Sequence, residues 1–227
     1  MKIIYHNRLP HIAPMGATFF VTFRLADSLP QCIVRKLKKE LENEIERLKK
    51  EFPDNNLPLL RNIRKRNFGK YDHQLDKHSY GACFLRQNPA AEILQAKLHE
   101  YDGAFYELYA YSIMPNHAHI LFNTAIQLDD IQDRLTNEAL ENYVQLDKIM
   151  QRIKGGSAHS INRLLNRTGK FWAKDSYDHY VRNEKELTNI AVYTLQNPVK
   201  AGLSENWESW PFHYCKPLLR DHLLFRS

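Results

Sequence analysis

Three residues, His117-Ala118-His119, carry the first chemical signal in the chain, within the run Tyr111-Ser-Ile-Met-Pro-Asn-His-Ala-His-Ile-Leu-Phe122. In a strand, residues i and i+2 project from one face, so the two imidazoles point together and Ala118 turns to the other side. Two neutral imidazoles aimed at one point form half of a divalent-metal site. Taken alone, so short a motif describes a pair of partly exposed histidines at a strand start equally well. A second group lies some seventy residues on, between Arg182 and Leu203. Asn183 is a good N-cap, Glu186 completes a capping-box-like start, and Pro198 and Gly202 bound the far end of the expected helix. At about 100° per residue, Leu187, Ile190, Ala191, Thr194, Leu195 and Pro198 share one side, while Glu186, Asn189, Tyr193, Gln196, Asn197 and Lys200 share the opposite arc. Tyr193 is thus an aromatic in the middle of a polar, exposed stripe, with Asn197 one turn away. A surface tyrosine is ordinary by itself. Presented with an amide oxygen beside a metal-binding pair, it becomes a nucleophile next to a third ligand.

These residues also carry a family resemblance. Met114-Pro-Asn-His-Ala-His-Ile-Leu121 resembles the HUH motif (His, hydrophobic, His) of single-tyrosine transposases, most of all the REP-associated tyrosine transposase branch. Phe171-Trp-Ala-Lys-Asp-Ser-Tyr-Asp-His-Tyr-Val-Arg-Asn-Glu184 and Tyr193-Thr-Leu-Gln-Asn-Pro-Val-Lys-Ala-Gly-Leu203 are similar to the downstream blocks of that branch in order and spacing, and Ala17 to Leu25 resembles its opening strand. The similarity runs from about residue 5 to 213, and Ala118 departs mildly from the commoner Val or Ile. The resemblance implies that Tyr193 is the catalytic tyrosine, that His117 and His119 are metal ligands, and that Asn197 supplies a third ligand. It implies Mg²⁺ or Mn²⁺ as cofactor and single-stranded DNA bearing a hairpin, a REP-like repeat, as substrate. A phenol of pKa near 10 is a poor nucleophile, so the cation must make the phosphate reactive by neutralising its charge. The products implied are a 5′-phosphotyrosine and a free 3′-hydroxyl, a linkage that keeps the bond energy and permits strand transfer.

The surrounding elements suit that placement. Ala17 to Leu25 alternates as a strand, Cys32 to Phe52 carries one apolar helical stripe, Pro89 to Tyr101 reads as a second helix, and two strands joined at Pro115-Asn116 hold the histidines. The β-α-β-β pattern with further helices implies an α+β fold, a ferredoxin-like or RRM-like antiparallel sheet with helices packed on it. The histidine pair falls on a central strand and Tyr193 on a later helix. Residues 1–213 read as one catalytic domain with a helical insertion at about 31–70, and 214–227 as a C-terminal tail. Within the insertion, 51–70 holds two prolines and the cluster Arg61, Arg64, Lys65 and Arg66, which reads as an exposed loop or a DNA contact. Further on, 137–153 reads as a helix broken at Gly155-Gly156, with Ser157 capping a short helix that ends at Gly169. Phe171 and Trp172 read as core packing or as stacking platforms for bases. His159 and His179 are neighbours without an assigned role.

A net charge of +6 over 227 residues favours a polyanionic partner. Lys154, Arg163, Arg167, Lys170, Lys174, Arg182 and Lys200 are the expected DNA-binding residues. Three well-separated cysteines without a CxxC pattern, and no signal-like or membrane-length apolar segment, suggest a cytoplasmic, nucleoid-associated protein of bacterial type, monomeric or homodimeric, away from membranes. Two other functions remain open on sequence: a metal-dependent hydrolase without a covalent intermediate, and a non-enzymatic regulator that binds DNA hairpins.

Overall fold

The alternating stretch that opens the domain folds as strand β3, Thr18–Leu25, the second position in a five-stranded sheet. It places Phe19, Val21, Phe23 and Leu25 on one face, and Phe20 and Thr22 on the other. The computed structural model describes residues 2–7, 9–53, 56–131 and 142–224. Before β3, strands β1 (Lys2–Asn7) and β2 (Leu9–Pro14) pair antiparallel as a separate ribbon. After it come helices α1 (Gln31–Glu51), α2 (Leu57–Asp76) and α3 (Asn88–Glu100), then β4 (Glu107–Ile113) and β5 (His117–Asn123). Helix α4 (Leu146–Leu164), β6 (Trp172–Val181), α5 (Glu184–Lys200), β7 (His213–Cys215) and α6 (Pro217–Leu224) complete the described chain.

The sheet order is β6-β3-β5-β4-β7 with every neighbour antiparallel. Its first four strands follow the ferredoxin-like arrangement expected for β-α-β-β. One face packs on α3 and α4 through fully buried residues such as Leu94, Leu98, Ile120, Phe122, Ile149 and Ile153. Burial of such a side chain stabilises by about 1.5–3 kcal/mol, so this layer is the main source of stability. The other face carries Phe20, Ala110 and Leu121, which meet Ala191 and Leu195 of α5. A bulge in β4 between Leu108 and Ala110 resets the side-chain parity, so that Ser112 faces His119 across the ladder while Tyr111 and Ile113 stay in the main core.

Several sequence expectations change. The 51–70 region is not a loop: α2 begins at Leu57 with a proline in its first turn, where the missing N–H is not needed, and runs on to Asp76. Gly155-Gly156 does not break a helix, because α4 passes through both. A Cβ on Gly156 would come within 2.9 Å of Lys97 Cε, the end of a flexible side chain on α3. Ser157 is not a cap, since its hydroxyl bonds back to the carbonyl of Ile153 at 2.6 Å. Helix α5 continues through Pro198 to Lys200. The part of the 137–153 helix up to residue 141 lies outside the described residues. The segment beyond 213, read as a tail, contributes β7 at the sheet edge and then α6. Phe171 and Trp172 are core residues, packed edge-to-face at 4.8 Å.

Candidate metal and nucleophile site

Strand β5 starts immediately after the Pro115-Asn116 turn, and alternation sends His117 and His119 to the face covered by α5 and α2. Both are fully buried, and their Nε2 atoms converge to 2.9 Å. The outer nitrogens are held. Asn116 Nδ2 donates to the Leu75 carbonyl at 3.1 Å, which orients the amide so that its Oδ1 accepts from His117 Nδ1–H at 2.6 Å. His117 therefore turns the lone pair of Nε2 inward. His119 Nδ1 lies 2.7 Å from Thr22 Oγ1, a hydroxyl that serves either tautomer. Burial holds His117 well below the usual histidine range and pushes His119 down to about 4, with Asp72 opposing the shift in both. At neutral pH both rings are uncharged, the form that binds cations.

The third group is one the sequence reading missed. Asp72, on α2 and 1% exposed, presents Oδ1 at 3.4 Å from His119 Nε2, and ligand atoms from Asp72, His117 and His119 all lie within 4.8 Å of one another. Its other oxygen, Oδ2, accepts from the Tyr193 hydroxyl and from Lys200 Nζ at 3.1 Å. Burial opposes ionisation of Asp72, but the imidazoles when charged, the Tyr193 hydroxyl and the Lys200 ammonium outweigh it and hold the carboxyl below its ordinary range. Lys200 also bonds Asp76 at 2.8 Å. The signal for Asp72 was present: Phe68, Asp72 and Asp76 recur at i, i+4 and i+8, one stripe of a helix.

Tyr193 and Asn197 do not stand on an exposed stripe: Phe68 and Asp72 of α2 meet Tyr193, and Asn197 is buried beside His119 of β5, while Asn189, Gln196 and Lys200 of the same arc stay exposed. Tyr193 is half-buried and packs edge-on to Phe20, Phe68 and His119. Burial first, then Asp72, pushes its phenol well above the ordinary tyrosine range. Asn197 is fully buried beside His119, and neither its amide oxygen nor its nitrogen makes a well-formed hydrogen bond. Asp72 Oδ1 is likewise without a hydrogen-bond partner. Two buried oxygens left unsatisfied beside two inward-facing nitrogens cost free energy unless something accepts their lone pairs, and a divalent cation does so. The residues fit such an ion.

The expected DNA-binding residues fall into different settings. Arg182 and Lys200 border a groove of about 580 Å³ that opens beside Tyr193. Arg163, Lys170 and Lys174 are exposed around the end of α4 and the start of β6. Arg167 lies over the rings of Phe84 and Phe171 and bonds Asn162. Lys154 is committed inside the fold: Nζ donates to the carbonyls of Ala173 and Lys174 and to Ser176 Oγ, and burial pulls its ammonium down to about 8. His179 lines the groove and bonds Glu186 at 2.8 Å, whereas His159 is exposed on α4.

No family model matches the chain. A Haemophilus influenzae protein named provisionally as a REP-associated tyrosine transposase is 27% identical over 114 residues, which is 47% of this chain. The chain spans 57% of the length of that relative. A solved structure of a REP-associated tyrosine transposase bound to a REP hairpin aligns over 93% of this chain and 82% of the other, with 16% identity and a TM-score of 0.43. Over those 114 residues this chain is, in sequence, similar to a protein named as a REP-associated tyrosine transposase.

Proposed function

We propose that this protein is a metal-dependent single-stranded DNA endonuclease and strand transferase, which cleaves beside a hairpin through a 5′-phosphotyrosine intermediate. The observation that carries the proposal is one cluster: inward-facing His117 and His119 nitrogens, Asp72 between them and Tyr193, and the tyrosine hydroxyl already bonded to that carboxylate. His117, His119 and Asp72, with Asn197 beside them, would hold Mg²⁺ or Mn²⁺, which when bound neutralises charge on the scissile phosphate. Tyr193 Oη forms a bond to phosphorus as the bond from phosphorus to the 3′ oxygen breaks. The phenolic proton passes to Asp72, which already accepts that hydrogen bond, and from there to the leaving 3′ oxygen. Lys200, held by Asp72 and Asp76, places a positive charge beside the nucleophile. The DNA-hairpin substrate follows from the sequence resemblance and from the name of the relative. Exposed Arg163, Lys170 and Lys174 supply non-specific attraction for phosphates.

The test is incubation with a labelled single-stranded hairpin oligonucleotide and Mn²⁺, followed by denaturing electrophoresis. A protein–DNA adduct that is lost in Tyr193→Phe, with an extendable 3′ end on the released strand, is expected. Cleavage without an adduct that survives Tyr193→Phe would replace this function with a water-activating hydrolase. Hairpin binding with neither cleavage nor adduct would leave a DNA-binding regulator.

A further inference from the structure

Beyond the reacting atoms, the groove between α2 and α5 has a composition that the cleavage chemistry does not require. Its floor is Phe20, and one wall is built from Phe68 and Tyr177, whose rings stack at 4.0 Å and 18°. His179 continues the row, its ring parallel to Tyr177 within 2° at 6.5 Å. Lys65 and Lys185 stand exposed at the rim with Arg182. Aromatic faces inside and cations at the mouth match a nucleotide: a flat base to stack and a phosphate to neutralise. Gly69 is the second observation. It sits within α2 on the groove wall, and a Cβ there would meet no atom within 4 Å. Neither packing nor backbone conformation asks for glycine at this position, and glycine weakens a helix. What it does is keep the groove open next to Phe68.

We propose that this groove is a nucleobase subsite, which receives one unpaired base of the DNA strand adjoining the phosphate attacked by Tyr193. The inference rests on the transposase reading and adds to it a specificity-determining element carried by α2. Tyr193 and Phe20 line the groove and also pack against the His119 ring, so a base seated there fixes which phosphate lies at the hydroxyl.

The experiment uses the full chain and a hairpin oligonucleotide with a single-stranded flank, in which each flank nucleotide in turn is made abasic. One position is expected to lose affinity about ten-fold or more when its base is removed, in the range of a single base–aromatic stack. Gly69→Leu, which fills the groove, is expected to lose a similar factor on the intact strand and nothing further on the abasic one; its melting temperature reports that the fold is kept. The wild-type abasic series needs no variant at all. If every abasic strand binds the wild type as well as the intact strand while the Tyr193 adduct still forms, the subsite is overturned and the transposase reading stands. If one abasic position weakens binding but no adduct forms on any strand, the base site stands and the cleavage reading falls.

Discussion

The hydrogen bond from Tyr193 to Asp72 gives the proposed nucleophile a structural role as well, and Tyr193→Phe measures both. An exposed tyrosine would lose nothing in stability on this change. Here the hydroxyl donates to a carboxylate that is 1% exposed. Hydrogen bonds to charged groups contribute about 1.5–3 kcal/mol. Lys200 remains on the same oxygen at 3.1 Å, and phenylalanine has no hydroxyl to desolvate, so the net loss should fall to about 1–2 kcal/mol. For a chain of this size that corresponds to a fall in Tm of about 2–8 °C. The assay is urea and thermal unfolding in the presence of a chelator for the wild type, Tyr193→Phe, Asp72→Ala and the double variant. The double-mutant cycle isolates the pair, with a coupling of about 1.5–3 kcal/mol expected. A coupling within about 0.5 kcal/mol of zero would show that the two side chains do not meet in solution, and the proton route through Asp72 would go with it.

Other outcomes follow from neighbouring features. Because burial holds His119 down to about 4, the unfolded chain takes up protons between about pH 6.5 and 4 that the folded chain refuses. Metal-free stability should therefore fall with pH through that window, by up to about 3 kcal/mol for His119 alone; urea unfolding that is equally pH-dependent in His119→Gln would contradict it. Asn183→Ala removes the side chain that accepts from Glu186 N at 2.9 Å and should cost about 1 kcal/mol, read from the urea midpoint. Gly69→Ala adds a Cβ that touches nothing and should stabilise by about 1 kcal/mol; a loss of stability would mean that the groove wall is packed in solution.

What the sequence disclosed follows the range of the interactions involved. The histidine pair was readable because alternation in a strand is local, and so was the start of α5, where Asn183 and Glu186 cap within four residues. The stripe of Phe68, Asp72 and Asp76 was there to be read, but nothing local ties it to the histidines: the place of Asp72 in the cluster depends on contacts such as that with Tyr193 across 121 residues of chain. Prolines and a run of arginines disguised α2: its inward face carries Asn67 and Asp72, both buried, where a sequence reading looks for leucines. The same helix covers Tyr193, and the histidine strand covers Asn197, whereas amphipathicity assigns a polar stripe to solvent. Gly155-Gly156 misled because the helix of Leu146–Leu164 runs through both, held by its buried face.

The carriage of Asp72 on α2 also bears on how the protein behaves on warming. Helices α1 and α2 bury few side chains, and polar contacts join them: Lys70 with Glu40, Tyr71 with the carbonyl of Val34 and the Asn67 amide with the carbonyl of Leu37. Single hydrogen bonds of this kind contribute about 0.5–1.5 kcal/mol each. The sheet, by contrast, is buried along most of β4 and β5. The α1–α2 pair is therefore expected to open at a free energy below that of global unfolding, with amide exchange fast in α2 and slow in β5. When it opens, the imidazoles keep their strand while the carboxylate leaves them. Activity should therefore fade at temperatures where circular dichroism still reports an intact sheet, and return on cooling without any refolding of the core.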